Sequence, residues 1–198
     1  MSQKVIQFIG TQRSGSNLLR LMLNQHQGIS APHPPHILRT FMPFLSQYGD
    51  LKVRKNRFLL VDDVCRWVEC NPVEWSSVNF DRDEITDKTT SLLDLFEVIY
   101  QQKCATDQAK IWCCKSTFNI QYTLELEKAI QPFYIYLYRD GRDVATSFKK
   151  AYVGPKHIYQ IAQKWHREQI ETYSFLSSLA SHRYVWISYE ALIQDPEK

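Results

Sequence analysis

The sequence predicts an α/β fold: a P-loop-like three-layer α/β/α arrangement with a central parallel sheet. Three observations predict it. Short apolar runs rich in β-branched and aromatic residues recur at 5–9 (VIQFI), 111–114 (IWCC), 133–138 (FYIYLY) and 184–187 (YVWI). Segments with apolar residues at helical spacing separate them. Unbroken apolar runs, rather than alternating ones, belong to strands covered on both faces.

The first run leads into a polar, Gly-rich stretch at 10–16, then a helix with Leu18, Leu19, Met22 and Leu23 on one face, ended by Gly28. Two helices are expected at 37–45 and 57–69, separated by a basic stretch at 52–57. Leu92, Leu95, Phe96 and Ile99 mark another. The run at 111–114 ends in Lys115, 120–130 reads as a helix, and Pro132 precedes the strongest strand. After Arg139-Asp140-Gly141 comes a helix expected to turn Val144, Phe148, Ala151 and Tyr152 to the core. A long amphipathic helix follows, with Ile158, Ile161, Ala162 and Trp165, then Tyr173, Leu176 and Leu179. Ser188-Tyr189-Glu190 leads from the last strand into a final helix.

Composition narrows the function classes. With 198 residues, 44% hydrophobic and 23% charged, the chain is expected to form one domain over 1–198. Its 24 basic and 21 acidic residues are interspersed, giving a net charge of +3 without the basic stripe of a nucleic-acid reader. The five cysteines show neither a disulfide framework nor metal-ligand spacing, so no metal is expected and the thiols read as small buried hydrophobes. Met1-Ser2-Gln3-Lys4 runs straight into the first strand, so neither a signal peptide nor a membrane span is expected. A cytoplasmic location is expected.

In parallel sheets ligands bind beyond the carboxyl ends of the strands. Four candidates follow strands directly: the Gly10 loop, Lys115, Arg139 and Tyr189. The loop GTQRSGSN at 10–17 has a Gly-x4-Gly frame whose backbone N–H groups can cradle an anion. A P-loop kinase would continue with Lys and Ser/Thr to hold terminal phosphates and Mg²⁺. Here Ser16 and Asn17 stand there, and the cation lies inside the loop, at Arg13.

GTQRSGSNLL at 10–19 resembles the 5′-phosphosulfate loop of sulfotransferases that use 3′-phosphoadenosine 5′-phosphosulfate (PAPS), in the branch carrying Arg inside the loop. The resemblance implies that Arg13, Ser14, Gly15, Ser16 and Asn17 hold the 5′-phosphate. It also implies that Arg13 neutralises charge on the bridging oxygen as the S–O bond breaks. YRDGRDVATSF at 138–148 is similar to the family's 3′-phosphate segment, with Arg139 and Ser147 eight residues apart. An Arg fork grips phosphate in a bidentate way and a Ser hydroxyl adds a directional donor. SYEALIQDP at 188–196 is similar to a third segment, which implies that Tyr189 contacts the adenine.

The resemblance further implies that Lys115 contacts the transferring sulfonate. Relatives with small-molecule acceptors often carry His two residues later, where this chain has Thr117. No Asp or Glu lies between Val5 and Gly49, and the Pro-braced stretch SAPHPPH at 30–36 follows the first helix. His33 is therefore taken as the general base, with His36 in reserve. His26 reads as a capping residue, and His157, His166 and His182 as surface residues.

The implied reaction moves a sulfonate from PAPS to an acceptor hydroxyl or amine on a small molecule or carbohydrate, releasing 3′,5′-diphosphoadenosine (PAP). Residues 37–110 carry no assigned motif and are expected to shape the acceptor pocket. The sequence stops at Lys198, just after the third segment, so the domain is expected to be shorter at its C-terminus than the family's usual length. The alternatives are a P-loop nucleotide kinase and a non-catalytic nucleotide-binding module.

Overall fold

The computed structural model describes residues 4–196; the sequence readings that involve residues 1–3 and 197–198 lie outside them. Among the described residues the strands are β1 (Lys4–Ile9), β2 (Ile29–Ser30), β3 (Ile111–Cys114), β4 (Phe133–Tyr138) and β5 (Tyr184–Ser188). They form one parallel sheet in the order β2-β3-β1-β4-β5. Ile6 lies opposite both Cys113 of β3 and Phe133 of β4. The chain builds the β2 and β3 side first, then crosses β1 to add β4 and β5. The carboxyl end of β1 therefore sits at the switch point of the sheet, where such folds bind ligands.

Strand alternation assigns the two faces. Val5 and Trp112 pack under α2 (Ile37–Phe41), α3 (Arg54–Glu69) and α5 (Leu92–Thr106), against Leu38, Val64, Phe96 and Tyr100. On the same face Ile9, Tyr134 and Tyr136 meet Phe175 and Leu176 of α8 (Ile158–Ser177). The opposite face puts Phe8, Cys113, Ile135 and Leu137 against Leu19 of α1 (Ser16–Asn24) and Leu192 of α9 (Tyr189–Gln194). Helices thus cover both faces, as the apolar strands require.

Gln7 is the buried polar exception within β1. Its Nε2 donates to the carbonyls of Cys114 and Ser116 at 3.1 and 3.2 Å, and its Oε1 accepts from Asn119 Nδ2 at 3.0 Å. A buried amide is tolerated because its polar atoms are paired. Here the pairing fixes the chain just after β3 to the middle of the sheet.

Several expected elements differ. The two-residue β2 was not expected, because so short an edge strand leaves no periodic pattern. The helix at 37–45 ends at Phe41 and continues as a 3₁₀ helix over Met42–Tyr48 with Pro in its first turn. α3 begins at Arg54, inside the basic stretch read as a separator. α4 (Arg82–Lys88) was not expected, although Asp81 caps it by accepting from the Glu84 N–H at 2.9 Å. The helix read at 120–130 divides into a 3₁₀ turn, Thr117–Tyr122, and α6 (Thr123–Ala129).

Tyr152, expected in the core, lies beyond α7 (Gly141–Lys150) and is fully exposed. In α8, Ile158, Ala162 and Tyr173 face outward. This helix serves two neighbours: Ile161 and Trp165 pack on α7, whereas Phe175 and Leu176 pack on the sheet. Its inner stripe is polar between them, at Glu168, paired with Lys164, and at Thr172. Four cysteines are buried as expected, but Cys70 is exposed; none of the five is in a disulfide.

Candidate active site

Close backbone packing shapes the loop after β1. Gly10 has φ +123°, and a Cβ there would stand 2.6 Å from the Leu137 carbonyl of β4. Thr11 is buried, its hydroxyl accepting from Gln169 Nε2 of α8 at 2.8 Å. Arg13 holds φ +71°, a left-handed conformation that costs about 1–2 kcal/mol for a residue with a Cβ. Gly15 has φ +91° and opens α1, with no side-chain cap and no acidic residue in the first turn. The N–H groups of Leu18 and Leu19 bond back to the Gly15 carbonyl at 2.9 and 3.2 Å. The preceding N–H groups of the turn can face an anion.

Arg139, at the end of β4, meets this loop. Its Nη1 donates to the Arg13 carbonyl at 3.3 Å, and its guanidinium lies 4.2 Å from the ring centroid of Tyr189. The Tyr189 ring covers Gly15 so closely that a Cβ there would fall 2.3 Å from Cδ2. Arg13 Nε donates to Ser147 Oγ at 3.0 Å, which joins the loop after β1 to α7. Glu190 braces them from α9 by accepting from the Asp140 N–H at 3.1 Å.

On the other wall, Lys115 follows β3. The backbone folds back at His36, φ +57°, and its Nδ1 is 2.8 Å from Ser116 Oγ. The His36 ring meets Phe118 edge to face at 5.1 Å.

The result is a cleft of about 280 Å³ whose lining includes Arg13, Gly15, Ser16, Asn17, His36, Lys115, Thr117, Arg139, Ser147 and Tyr189. Its lining holds three cations, Arg13, Lys115 and Arg139, and no carboxylate. Ser14 lies buried beneath, its hydroxyl without a partner. His33 does not line this cleft. It borders a neighbouring cavity of about 430 Å³ with Arg20, Trp75, Lys103 and Asp107, and its ring centroid is 6.5 Å from that of His36.

Residues 6–198 match the profile of the sulfotransferase family. The chain belongs to the sulfotransferase family. The sulfotransferase domain from the curacin biosynthetic pathway shares its fold, with a TM-score of 0.62 and 23% identity over all of this chain and 70% of that one. The sulfotransferase domain of the Synechococcus PCC 7002 olefin synthase has a TM-score of 0.64 and 21% identity over 99% of this chain and 70% of that one. Among curated proteins none matches.

The electrostatics of this sulfotransferase-family site follow first from burial and then from its crowding of cations. Burial lowers the Lys115 pKa, and Arg20 and Arg13 lower it further. Burial, then Lys115, pushes the His36 imidazole down to about 4. His33 is lowered by burial, Lys115 and Arg20. Among the described residues no group of His, Cys, Asp or Glu could hold a metal, and no helix is long and apolar enough to cross a membrane.

Sequence reasoning missed Ser116, Gln7 and Arg20. Arg20 donates to Asn17 Oδ1 at 3.1 Å and to the Ala31 carbonyl at 2.8 Å, tying α1 to the His-containing loop. Its place three residues after Asn17 was a usable signal, as was a lone Gln in an apolar strand. His26 does not cap the helix, whose C-cap is Gln25; its Nδ1 instead accepts from the Gly28 N–H at 3.0 Å in the following loop, and His157, His166 and His182 are exposed.

Proposed function

We propose that this protein transfers a sulfonate group from PAPS to an acceptor hydroxyl or amine of a small molecule or carbohydrate, in the cytoplasm. The observation that carries the reading is the meeting of Arg13, Lys115 and Arg139 in one carboxylate-free cleft at the switch point. PAPS carries three anionic groups: a 3′-phosphate, a 5′-phosphate and the sulfonate. Two buried polar atoms without partners, Ser14 Oγ and Arg139 Nε, support a bound oxyanion, since such groups are normally paired. Held in this cleft, PAPS supplies the sulfonate: its S–O bond to the 5′-phosphate breaks as the acceptor atom bonds to sulfur, and PAP leaves.

Each residue has a part that its position supports. The loop from Arg13 to Asn17 binds the 5′-phosphate, Arg139 and Ser147 bind the 3′-phosphate, and Tyr189 packs on the adenine. Arg13 and Lys115 meet the oxygens on which charge develops, as preorganised cations. The acceptor's proton goes to the Pro-braced loop. Sequence reasoning put His33 first there; the cleft lining favours His36, whose ring borders the same space as Lys115. In the tautomer with hydrogen on Nδ1, donated to Ser116 Oγ, Nε2 is free to take that proton.

Thermal unfolding with nucleotides tests the reading. PAP raises the melting temperature, and 5′-AMP, which lacks the 3′-phosphate, raises it much less. Equal shifts would remove the roles of Arg139 and Ser147. A response to ATP–Mg²⁺ without one to PAP would favour a nucleotide kinase.

A further inference from the structure

We propose that Arg39 selects the acceptor, and that the acceptor carries an oxyanion (a carboxylate, sulfate or phosphate ester) near its nucleophilic atom. The inference rests on the reading above, in which His36 and Lys115 mark the reacting end of the cleft.

Arg39 lies three residues after His36, at the middle of the five-residue α2, and is exposed. Its guanidinium carbon is 3.7 Å from the centroid of the Phe118 ring. Phe118 in turn stands edge to face with His36 at 5.1 Å and 87°. Arg39, Phe118 and His36 therefore form one stack, which sets a cation one aromatic ring beyond the proposed base. Arg39 is close enough that its charge helps to depress the His36 pKa.

The partners of Arg39 point the same way. Among the described residues it forms no ion pair with a carboxylate; its contact is the aromatic face. A guanidinium resting on a ring keeps its N–H edges available for an in-plane fork onto an oxyanion. Arg39 and Phe118 do not line the donor cleft, whose anions already have Arg13, Lys115 and Arg139. This cation is surplus to the donor and stands one aromatic ring from His36.

The test compares matched ligands on the PAP-saturated protein. Glucose and glucuronate are titrated by NMR, and kcat/KM with PAPS is measured for 4-methylphenol and 4-hydroxyphenylacetate. In each pair the anionic member is favoured by at least roughly tenfold, on the scale of one charge-assisted contact. Arg39→Ala removes that preference, Arg39→Lys keeps part of it, and Arg39→Glu inverts it. The binding arm reports even if neither phenol is turned over. Wild-type protein without the preference, or an Arg39→Ala variant that weakens neutral and anionic ligands alike, overturns the proposal. So does a loss of PAP affinity in Arg39→Ala, which would make Arg39 a donor contact. Failure of PAP to bind the wild type is a separate result: it sinks the PAPS reading and this inference with it.

Discussion

Arg13 Nε donates to Ser147 Oγ at 3.0 Å across 134 residues of sequence. The contact ties the loop after β1 to α7, and Arg139 reinforces it by donating to the Arg13 carbonyl. The two segments predicted to bind phosphate are thus coupled to each other by protein contacts. Arg139→Ala should cost roughly 2–4 kcal/mol of PAP affinity, the scale of a lost buried charge-assisted contact. Calorimetric titration checks this, and 5′-AMP should lose much less. A fall in melting temperature with PAP binding intact would make Arg139 a structural residue.

Gly15→Ala meets two obstacles at once: φ +91°, and a Tyr189 ring 2.3 Å from the new Cβ. The backbone strain alone is about 1–2 kcal/mol. The variant should melt lower and bind PAP less tightly. Tyr189→Ala in the same chain relieves the clash but not the strain, so the double variant should recover stability only in part. Full recovery would show that the backbone tolerates a side chain there.

Lys115→Ala separates chemistry from binding. Turnover should fall by at least ~10²-fold, as for loss of one preorganised charge-stabilising group. PAP affinity, which lacks the sulfonate, should change little. Equal losses of both would move Lys115 to the nucleotide phosphates.

The depressed pKa of His36 has two consequences. The kcat/KM profile, which reports the free enzyme, should lose activity only as pH falls through about 4, since the imidazole is already neutral above it. His36→Ala should abolish that limb and lower turnover roughly 10²–10⁴-fold. If His33→Ala does so instead, the loop supplies the base through its other histidine.

Stability follows the same shift. An unfolded histidine takes up its proton near ~6.5, above the value in the fold. Between these pH values the unfolded chain binds more protons, so the fold loses stability as pH falls from about 6.5 toward about 4. His36→Gln should flatten this slope in urea midpoints measured at several pH values. An unchanged slope would assign it to other groups.

Much of this protein was determined by its sequence alone. The four longer strands form where apolar runs stand, and the predicted phosphate segments follow β1 and β4 directly. Such features depend on local pattern: a strand covered on both faces must be apolar along its length, and a loop that turns sharply past a neighbouring carbonyl needs a glycine such as Gly10. Tertiary structure decided what local pattern does not encode. It placed His36 rather than His33 on the cleft, divided the inner stripe of α8 between two neighbours, and stacked Arg39 on Phe118. Each outcome rests on contacts between residues far apart in sequence. At His36 the left-handed backbone and the hydroxyl of Ser116, 80 residues away, orient a ring that spacing along the chain leaves free to point either way.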